Sequence, residues 1–203
     1  MSESRISTFK HHQLEALVKE LEGLWSLSSY SFSEEALHKF VRGLIFAEKI
    51  LQIIDDNLNG YYSDWGQIFD EKTGNYLSKE CDIIIYKKKQ QIFGKKSIKF
   101  ALVDSSAVKL VIQCSTTITS LSKEHKDYPK NLKRFVPETE IWYFAECYWG
   151  SKNQANVIRK KLKEAGYGRF FYLYRRYERQ GEMHKELNYD RWNEFIKSIR
   201  NLK

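Results

Sequence analysis

Three oxygen-bearing side chains stand in segments of the chain that are otherwise apolar. Glu48 follows Leu44 by four residues and precedes Leu51 by three, so a helix would place its carboxylate on the apolar stripe of those leucines. Asp82 opens the run CDIIIY, and Gln113 lies inside the run KLVIQCSTTI. An ionised carboxylate is costly to bury unless a cation or a hydrogen-bond donor meets it. The three positions are therefore candidates for chemistry.

Each of the three also has an ordinary structural interpretation. Glu48 would reach solvent from the edge of its stripe or pair with a lysine, Asp82 would cap a strand end in a turn, and Gln113 would end a strand as it leaves the core. The sequence contains no phosphate-binding loop and no nucleophile motif. The histidines show no metal-ligand spacing and are predicted to lie on the surface: His11, His12, His38, His125 and His184.

The elements that must position these side chains are helices at both ends and strands between them. A serine-rich stretch is expected to break the first helix from the second, which begins at a capping box of Ser31 and Glu34. Helices are predicted over 7–25, 31–57, 120–135, 151–166 and 189–202. Strands are predicted over 61–70, 81–86, 98–104, 107–114, 139–149 and 169–174, with a basic loop or hairpin tip at 87–96. This order predicts an α/β fold with a mixed sheet flanked by helices.

These segments resemble the PD-(D/E)XK nuclease superfamily and, within it, a DUF6602-like bacterial group. The resemblance covers roughly residues 35–135. It is based on RGLIFAEK with Gly43 and Glu48, WGQIFD, LSKECDIIIY with Asp82, and AVKLVIQCSTTIT with Gln113, followed by a helix. It implies a restriction-endonuclease-like sheet in a single domain over 1–203, with an N-terminal helix over 1–30 and a nuclease-like core over 31–203.

The resemblance also implies the chemistry and the site. Glu48, Asp82 and Gln113 become the ligands of Mg²⁺, which prefers oxygen ligands and assists phosphodiester hydrolysis by neutralising charge and activating water. The chain departs from the family pattern at two positions, because Gln113 stands where a glutamate is usual and Ser115 where a lysine is usual. An amide oxygen can still bind Mg²⁺, whereas Ser115 cannot supply a cation.

A lysine from elsewhere is needed if the missing cation is to be replaced. Lys109 shares the strand face of Gln113 but lies about 13 Å along the strand, which is too far. Lys123 and Lys126 fall on the following helix. In the functional interpretation they reach back into the site, and in the ordinary one they form a solvated face of that helix. Lys123 is the predicted catalytic replacement. Three functions remain open: a nuclease of restriction or phage defence, the same fold binding nucleic acid or a partner protein without cleavage, and a structural subunit.

The net charge of +8 favours an anionic partner such as nucleic acid, although a lysine-rich composition can also reflect genome bias. Two stretches interleave cations with aromatic residues, which suits contacts to phosphates and bases. Their alternative interpretation is a hairpin tip and a core strand. The predicted nucleic-acid contacts, with DNA as the expected partner, are Lys87, Lys88, Lys89, Tyr174, Arg175 and Arg176.

The remaining expectations concern location and assembly. No run of eighteen apolar residues is present, so no membrane span and no membrane partner are expected. The polar N-terminus lacks the apolar core of a signal peptide, and Cys81, Cys114 and Cys147 lie in apparent strands as buried thiols, which predicts a cytoplasmic protein. A homodimer or a subunit of a defence complex is the expected assembly.

Overall fold

The computed structural model describes the backbone of residues 3–31, 35–87, 91–93 and 100–202, and the side chains of 12–26, 41–87 and 100–202. The helices are α1 (Glu3–Ser31), α2 (Glu35–Asp55), α3 (Lys123–Lys133), α4 (Lys152–Ala165) and α5 (Tyr189–Arg200). The strands are β1 (Tyr62–Asp70), β2 (Asn75–Tyr76), β3 (Cys81–Tyr86), β4 (Gln91–Phe93), β5 (Phe100–Asp104), β6 (Val108–Ile118), β7 (Glu140–Trp149), β8 (Arg169–Arg179) and β9 (Glu182–Leu187).

All the described strands join one mixed sheet. Its order is β4-β5-β1-β3-β6-β7-β8-β9, and the short β2 pairs with β1. The pairs β1–β5, β6–β7 and β7–β8 are parallel, and the others are antiparallel. The predicted fold class, a mixed central sheet flanked by helices, is confirmed.

Helices cover both faces of this sheet, and the strand β6 shows how the two faces differ. Leu110 and Ile112 point into a core that contains buried residues of α1, α2 and α5. Val111, between them, points into a second core with buried residues of α3 and α4. Successive side chains of a strand alternate between faces, so Gln113 and Ser115 share the face of Val111 and lie on the side of α3 and α4.

Local signals set several of the element boundaries. Ser151 and Gln154 form the predicted capping box of α4, and Gly166 ends that helix with a φ of 111°, which glycine adopts without strain. The prediction that serines break the first helix is wrong, because α1 continues through them to Ser31. The predicted partner Glu34 lies outside the described residues.

The hairpin of β8 and β9 is absent from the sequence-based prediction, which ended its strand at residue 174. Gln180 and Gly181 connect the two strands with φ values of 55° and 80°. Two consecutive residues with positive φ are typical of the two-residue turns that join antiparallel strands. Within the described residues, no helix combines the length and the apolar character that crossing a membrane requires.

Candidate functional site

Asp82 lies at an irregularity of the sheet. The pairing of β1 with β3 changes register between Asp64–Ile84 and Gly66–Cys81, so that two residues of β3 stand opposite one residue of β1. Such a bulge disturbs the ladder locally and changes the direction of a side chain, and bulges are over-represented beside active sites. The position predicted for the first strand ligand therefore coincides with the bulge of β3.

The carboxylate of Asp82 bridges β3 and β6. Its Oδ2 accepts a hydrogen bond from the backbone N–H of Cys114 at 2.7 Å. Ile83 pairs with Ile112 in the antiparallel ladder, so the next position along each strand brings Asp82 beside Gln113. Burial raises the pKa of Asp82 to about 6, the hydrogen bond from Cys114 opposes this rise, and the charge of Glu80 adds to it.

The amide of Gln113 already has a partner on the α3 and α4 side of the sheet. Its Oε1 accepts a hydrogen bond from the hydroxyl of Tyr167, a residue that directly follows the C-cap Gly166 of α4. Tyr167 is buried, whereas Gln113 is partly exposed. A metal ion at Gln113 would therefore share the amide oxygen with a neutral hydroxyl donor.

Three tyrosines surround this pair of residues. Burial is the main cause that raises the pKa of Tyr128, Tyr143 and Tyr167, to about 12 for Tyr143, and the charge of Asp82 raises all three further. All three hydroxyls are therefore protonated at neutral pH and can donate hydrogen bonds. We refer to the whole group as the polar cluster: Asp82, Gln113, Ser115, His125, Tyr128, Tyr143 and Tyr167.

His125 belongs to this cluster, so the prediction that it is a surface residue is wrong. Its Nε2 lies 3.3 Å from the hydroxyl oxygen of Tyr143, and its Nδ1 accepts a hydrogen bond from the backbone N–H of Ser122 at 3.4 Å. Burial lowers the pKa of His125, and the charge of Glu124 acts in the opposite direction. Because Nδ1 accepts, the neutral ring carries its proton on Nε2 and directs it toward Tyr143.

The sequence contained a signal for His125 that the predictions did not use. Ser122 and His125 have the three-residue spacing of a capping box, and the structure confirms both of its hydrogen bonds at the start of α3. Tyr128 and Leu132 follow at spacings of three and four residues, which is the inward stripe of a helix. His125 therefore lies on the side of α3 that faces the sheet.

Ser115 stands at the position where the PD-(D/E)XK resemblance predicts a lysine. The hydroxyl of Ser115 donates to the carbonyl of Thr117 at 3.0 Å, and its hydrogen bond with Tyr143 lowers the pKa of that tyrosine against the effect of burial. Lys123 and Lys126 are both exposed. The catalytic role of Lys123 stays a prediction.

Glu48 is not on the apolar stripe of its helix, and that prediction is wrong. The residues of α2 that pack in the core are Phe46, Ile50 and Ile54, whereas Leu44 is 37% exposed and Glu48 is exposed. This core lies on the opposite face of the sheet from Tyr167, the hydrogen-bond partner of Gln113. The structure thus brings Asp82 and Gln113 together without Glu48, whose role as a metal ligand stays a prediction.

The donors of the polar cluster suit only a sparsely coordinated Mg²⁺. The described residues contain no group of three or more histidine, cysteine, aspartate or glutamate side chains that could hold a metal. Asp82 and Gln113 offer one carboxylate and one amide oxygen. Mg²⁺ is commonly held by one or two carboxylates together with substrate phosphates and water, and a nearby cation would stabilise the ionised form of Asp82. The residues present fit this minimal set.

The aromatic residue predicted to contact nucleic acid is buried. Tyr174 is 2% exposed, and its hydroxyl donates to Glu146 at 2.9 Å, so its ring cannot stack on a base. The neighbouring Arg175 is also buried and donates from its guanidinium to Glu186. The prediction of a stacking contact at Tyr174 is wrong, because this part of β8 belongs to the core.

The other predicted nucleic-acid contacts are more accessible or lie outside the described residues. Arg176 is partly exposed and forms an ion pair with Glu22 at 3.5 Å. Lys87 is exposed, and its ammonium lies 6.0 Å from the ring of Tyr61. Lys88 and Lys89 are among the residues that the structure does not describe. The contribution of these cations to nucleic-acid binding stays a prediction.

The sheet and its two helical layers define an α/β protein with the fold of NucC. The NucC of P. aeruginosa ATCC27853 in its cAAA-bound form matches with a TM-score of 0.58 and 11% identity, over 94% of this chain and 90% of that one. The cAAA-bound NucC of E. coli MS115-1 matches with a TM-score of 0.55 and 11% identity, over 100% of this chain and 91% of that one. No family model matches the sequence, and the comparison with curated proteins finds no match either.

Proposed function

We propose that this protein is a Mg²⁺-dependent nuclease of phage defence that cleaves DNA at the polar cluster. The observation that supports this most directly is the position of Asp82 and Gln113, which lie side by side on neighbouring strands at a bulge. These are two of the three residues that the PD-(D/E)XK and DUF6602-like resemblance assigned to the site. The match to NucC in fold is independent of that resemblance.

In this proposal Asp82 and Gln113 hold the metal. When bound, Mg²⁺ would neutralise charge on the scissile phosphate and activate a water molecule. Asp82 provides the only carboxylate of the polar cluster, and the N–H of Cys114 fixes its orientation. Glu48 remains a candidate third ligand that is tested separately, because its helix covers the opposite face of the sheet.

A neutral donor takes the place of the missing lysine. His125 directs its Nε2 proton toward the oxygen of Tyr143, which leaves the tyrosine hydroxyl proton free to point toward Ser115. A hydroxyl donor in a water-excluded site stabilises developing negative charge, although it brings no positive charge. Tyr143 is fully buried and is, like His125, a positioning residue behind Ser115, whose partly exposed hydroxyl is the proposed neutral donor to the phosphate.

The second candidate function is a module of the same fold that binds nucleic acid or a partner protein without cleavage. Ser115 in place of a lysine favours this alternative, as does the hydrogen bond from Tyr167 to the oxygen of Gln113 that a metal would use. The distinction between the two functions therefore depends on cleavage rather than on binding.

Cleavage of plasmid and single-stranded DNA with Mg²⁺ or Mn²⁺ tests the first function. The reactions are run with and without cAAA, because the NucC structures carry that ligand. Metal-dependent cleavage is expected for the wild type and for the exposed control Asp56→Asn, and it is lost in Asp82→Asn. Equal, metal-independent cleavage in all three proteins refutes the proposal. Glu48→Gln and Tyr143→Phe then measure the contributions of those residues.

A gel-shift experiment addresses the second function with the same proteins. Salt-sensitive DNA binding by the wild type and by Asp82→Asn, without cleavage by either, would identify the binding module. The double variant Gln113→Glu/Ser115→Lys restores the usual residues of β6, and cleavage by this variant alone would show that the natural site is degenerate.

A further inference from the structure

A cavity of about 620 Å³ lies where α4, α5, β8 and β9 meet. It shares no residue with the polar cluster, and nothing in the proposed nuclease function uses it. Its volume is in the range of pockets that hold small molecules. The residues of its wall that matter here are Lys152, Arg159, Tyr172, Arg175, Glu186 and Arg191.

Two of the three carboxylates of the cavity wall, Glu186 and Glu194 but not Asp190, are paired with cations among the described residues. Glu186 accepts from Arg175 and lies 3.2 Å from the ammonium of Lys152. Glu194 accepts from the guanidinium of Arg191. Against these three carboxylates the wall sets four cations, Lys152, Arg159, Arg175 and Arg191, so its formal charge is positive by one.

Arg159 is the cation that remains. It forms no ion pair with any described residue, and its Nε is buried without a hydrogen-bond partner. Burial and then the charge of Arg191 lower the pKa of Arg159, whereas Tyr172 and the charge of Glu194 act in the opposite direction. An arginine with an unpaired buried nitrogen and a second guanidinium nearby is stabilised by an anion between them, because the anion removes the repulsion and supplies the missing acceptor.

Two further features of the wall concern the charge that a ligand would meet. Tyr172 has a buried ring, and the charges of Arg159, Arg191 and Arg175 all act on its hydroxyl. The first turn of α5, after its N-cap Asn188, also lines the cavity, and the carboxylate of Asp190 in that turn acts against an anion there. A helix N-terminus carries a partial positive charge and attracts phosphate groups.

We propose that this cavity binds a small phosphorylated molecule of nucleotide size, with its phosphate between Arg159 and Arg191. A phosphate alone is far smaller than the cavity, so the remaining volume would hold the organic part of the ligand beside Tyr172. A guanidinium can donate two parallel hydrogen bonds to phosphate oxygens. Arg159 is the guanidinium of the wall whose Nε lacks a hydrogen-bond acceptor among the described residues.

Thermal unfolding and calorimetry with inorganic pyrophosphate, AMP and adenosine test this site. Pyrophosphate and AMP are expected to raise the Tm of the wild-type protein, because a ligand that binds the folded state stabilises it. In Arg159→Gln their affinities should fall by roughly 10- to 100-fold, the usual cost of losing a charged hydrogen bond. Adenosine, which lacks the phosphate, should bind as weakly to the wild type as AMP binds to the variant.

Matched variants separate this site from general attraction to a basic protein. Lys161→Gln removes one positive charge from an exposed position of α4 outside the cavity and should leave the affinities unchanged. Arg159→Gln should unfold at the wild-type temperature without ligand, since Arg159 has no ion pair to lose. Asp82→Asn should bind both ligands normally, so that failure of the nuclease proposal and failure of this one are distinguishable.

Three results would overturn the assignment. The first is the absence of any rise in Tm with pyrophosphate, and the second is an equal loss of affinity in Arg159→Gln and Lys161→Gln. The third is protection by a single-stranded DNA oligonucleotide but not by pyrophosphate or AMP, which would assign the arginines to a nucleic-acid surface.

Discussion

The substitution Asp82→Asn should stabilise the protein at neutral pH while it removes the proposed metal site. Asparagine keeps an oxygen that can accept the hydrogen bond from the N–H of Cys114, and it removes the negative charge that burial disfavours. The wild-type protein with Asp82 is thus less stable than the same protein with an asparagine of the same shape. Such a cost is typical of residues retained for function.

The magnitude follows from the pKa of Asp82, which burial raises from 3.8 to about 6. At about 1.4 kcal/mol for each tenfold change in proton affinity, this rise corresponds to an upper limit of about 3 kcal/mol. The folded protein binds the proton more tightly than the unfolded chain does, so wild-type stability falls as the pH rises between these two values. By the same linkage, the advantage of Asp82→Asn should widen by about 1.4 kcal/mol between pH 5 and pH 8.

Urea unfolding of the wild type, Asp82→Asn and the exposed control Asp56→Asn at both pH values measures this gap. Mg²⁺ should raise the stability of the wild type and of the control at pH 8, and it should leave Asp82→Asn unchanged because the carboxylate ligand is absent. If Asp82→Asn is less stable than the wild type at pH 8, or if the gap is the same at both pH values, the carboxylate is not destabilised by burial. The reasoning would then be refuted.

Three further substitutions test the packing of the fold. Gly66→Ala would bring a Cβ to 1.9 Å from the carbonyl oxygen of Ala101 and should lower the unfolding free energy, measured by urea titration, by more than about 3 kcal/mol. In the control Gly43→Ala the new Cβ meets no atom within 4 Å, and the unfolding free energy should rise by up to about 1 kcal/mol. Glu146→Gln keeps an acceptor for Trp25 and Tyr174 and should change the stability by less than about 1 kcal/mol. Glu146→Leu removes that acceptor and should cost about 2 kcal/mol or more. Equal losses would contradict the assigned hydrogen bonds. Ser151→Ala removes the N-cap of α4 and should lower the stability by about 1 kcal/mol, with Ser120→Ala, which caps no helix, as its control.

The sequence predicted those elements that local chemistry determines. The strand over 81–86 has the bounds that its β-branched run predicted, and α4 has both of its predicted caps. The break after residue 25 failed because serine costs only a few tenths of a kcal/mol more than alanine in a helix. A serine run without proline or glycine therefore does not end a helix by itself, and α1 continues to Ser31.

The candidate site depended on the direction of side chains, which the sequence specifies less firmly. Glu48 was assigned to a stripe with Leu44, but the buried stripe of α2 passes through Phe46, Ile50 and Ile54, one third of a turn or more away. A helix with apolar residues on several sides offers more than one such stripe, and only packing against the sheet selects one. His125 was missed for a related reason, because its partner Tyr143 is distant in sequence and comes from β7.

The PD-(D/E)XK resemblance implies a glutamate at position 113 and a lysine at position 115, and the two departures of this chain balance one another in charge. Replacing the usual glutamate by Gln113 removes one negative charge, and replacing the usual lysine by Ser115 removes one positive charge, so the sum at this strand is unchanged. The surroundings match, because Tyr143, Tyr167 and the neutral His125 are donors without charge near the carboxylate of Asp82. A glutamate at position 113 alone would place a second carboxylate beside Asp82 and raise the pKa of Asp82 further. A lysine at position 115 alone would form an ion pair with Asp82 and compete with the metal for that carboxylate. The pair of residues therefore acts as a unit, and the double variant Gln113→Glu/Ser115→Lys is the comparison that distinguishes a decayed site from one that uses a neutral donor.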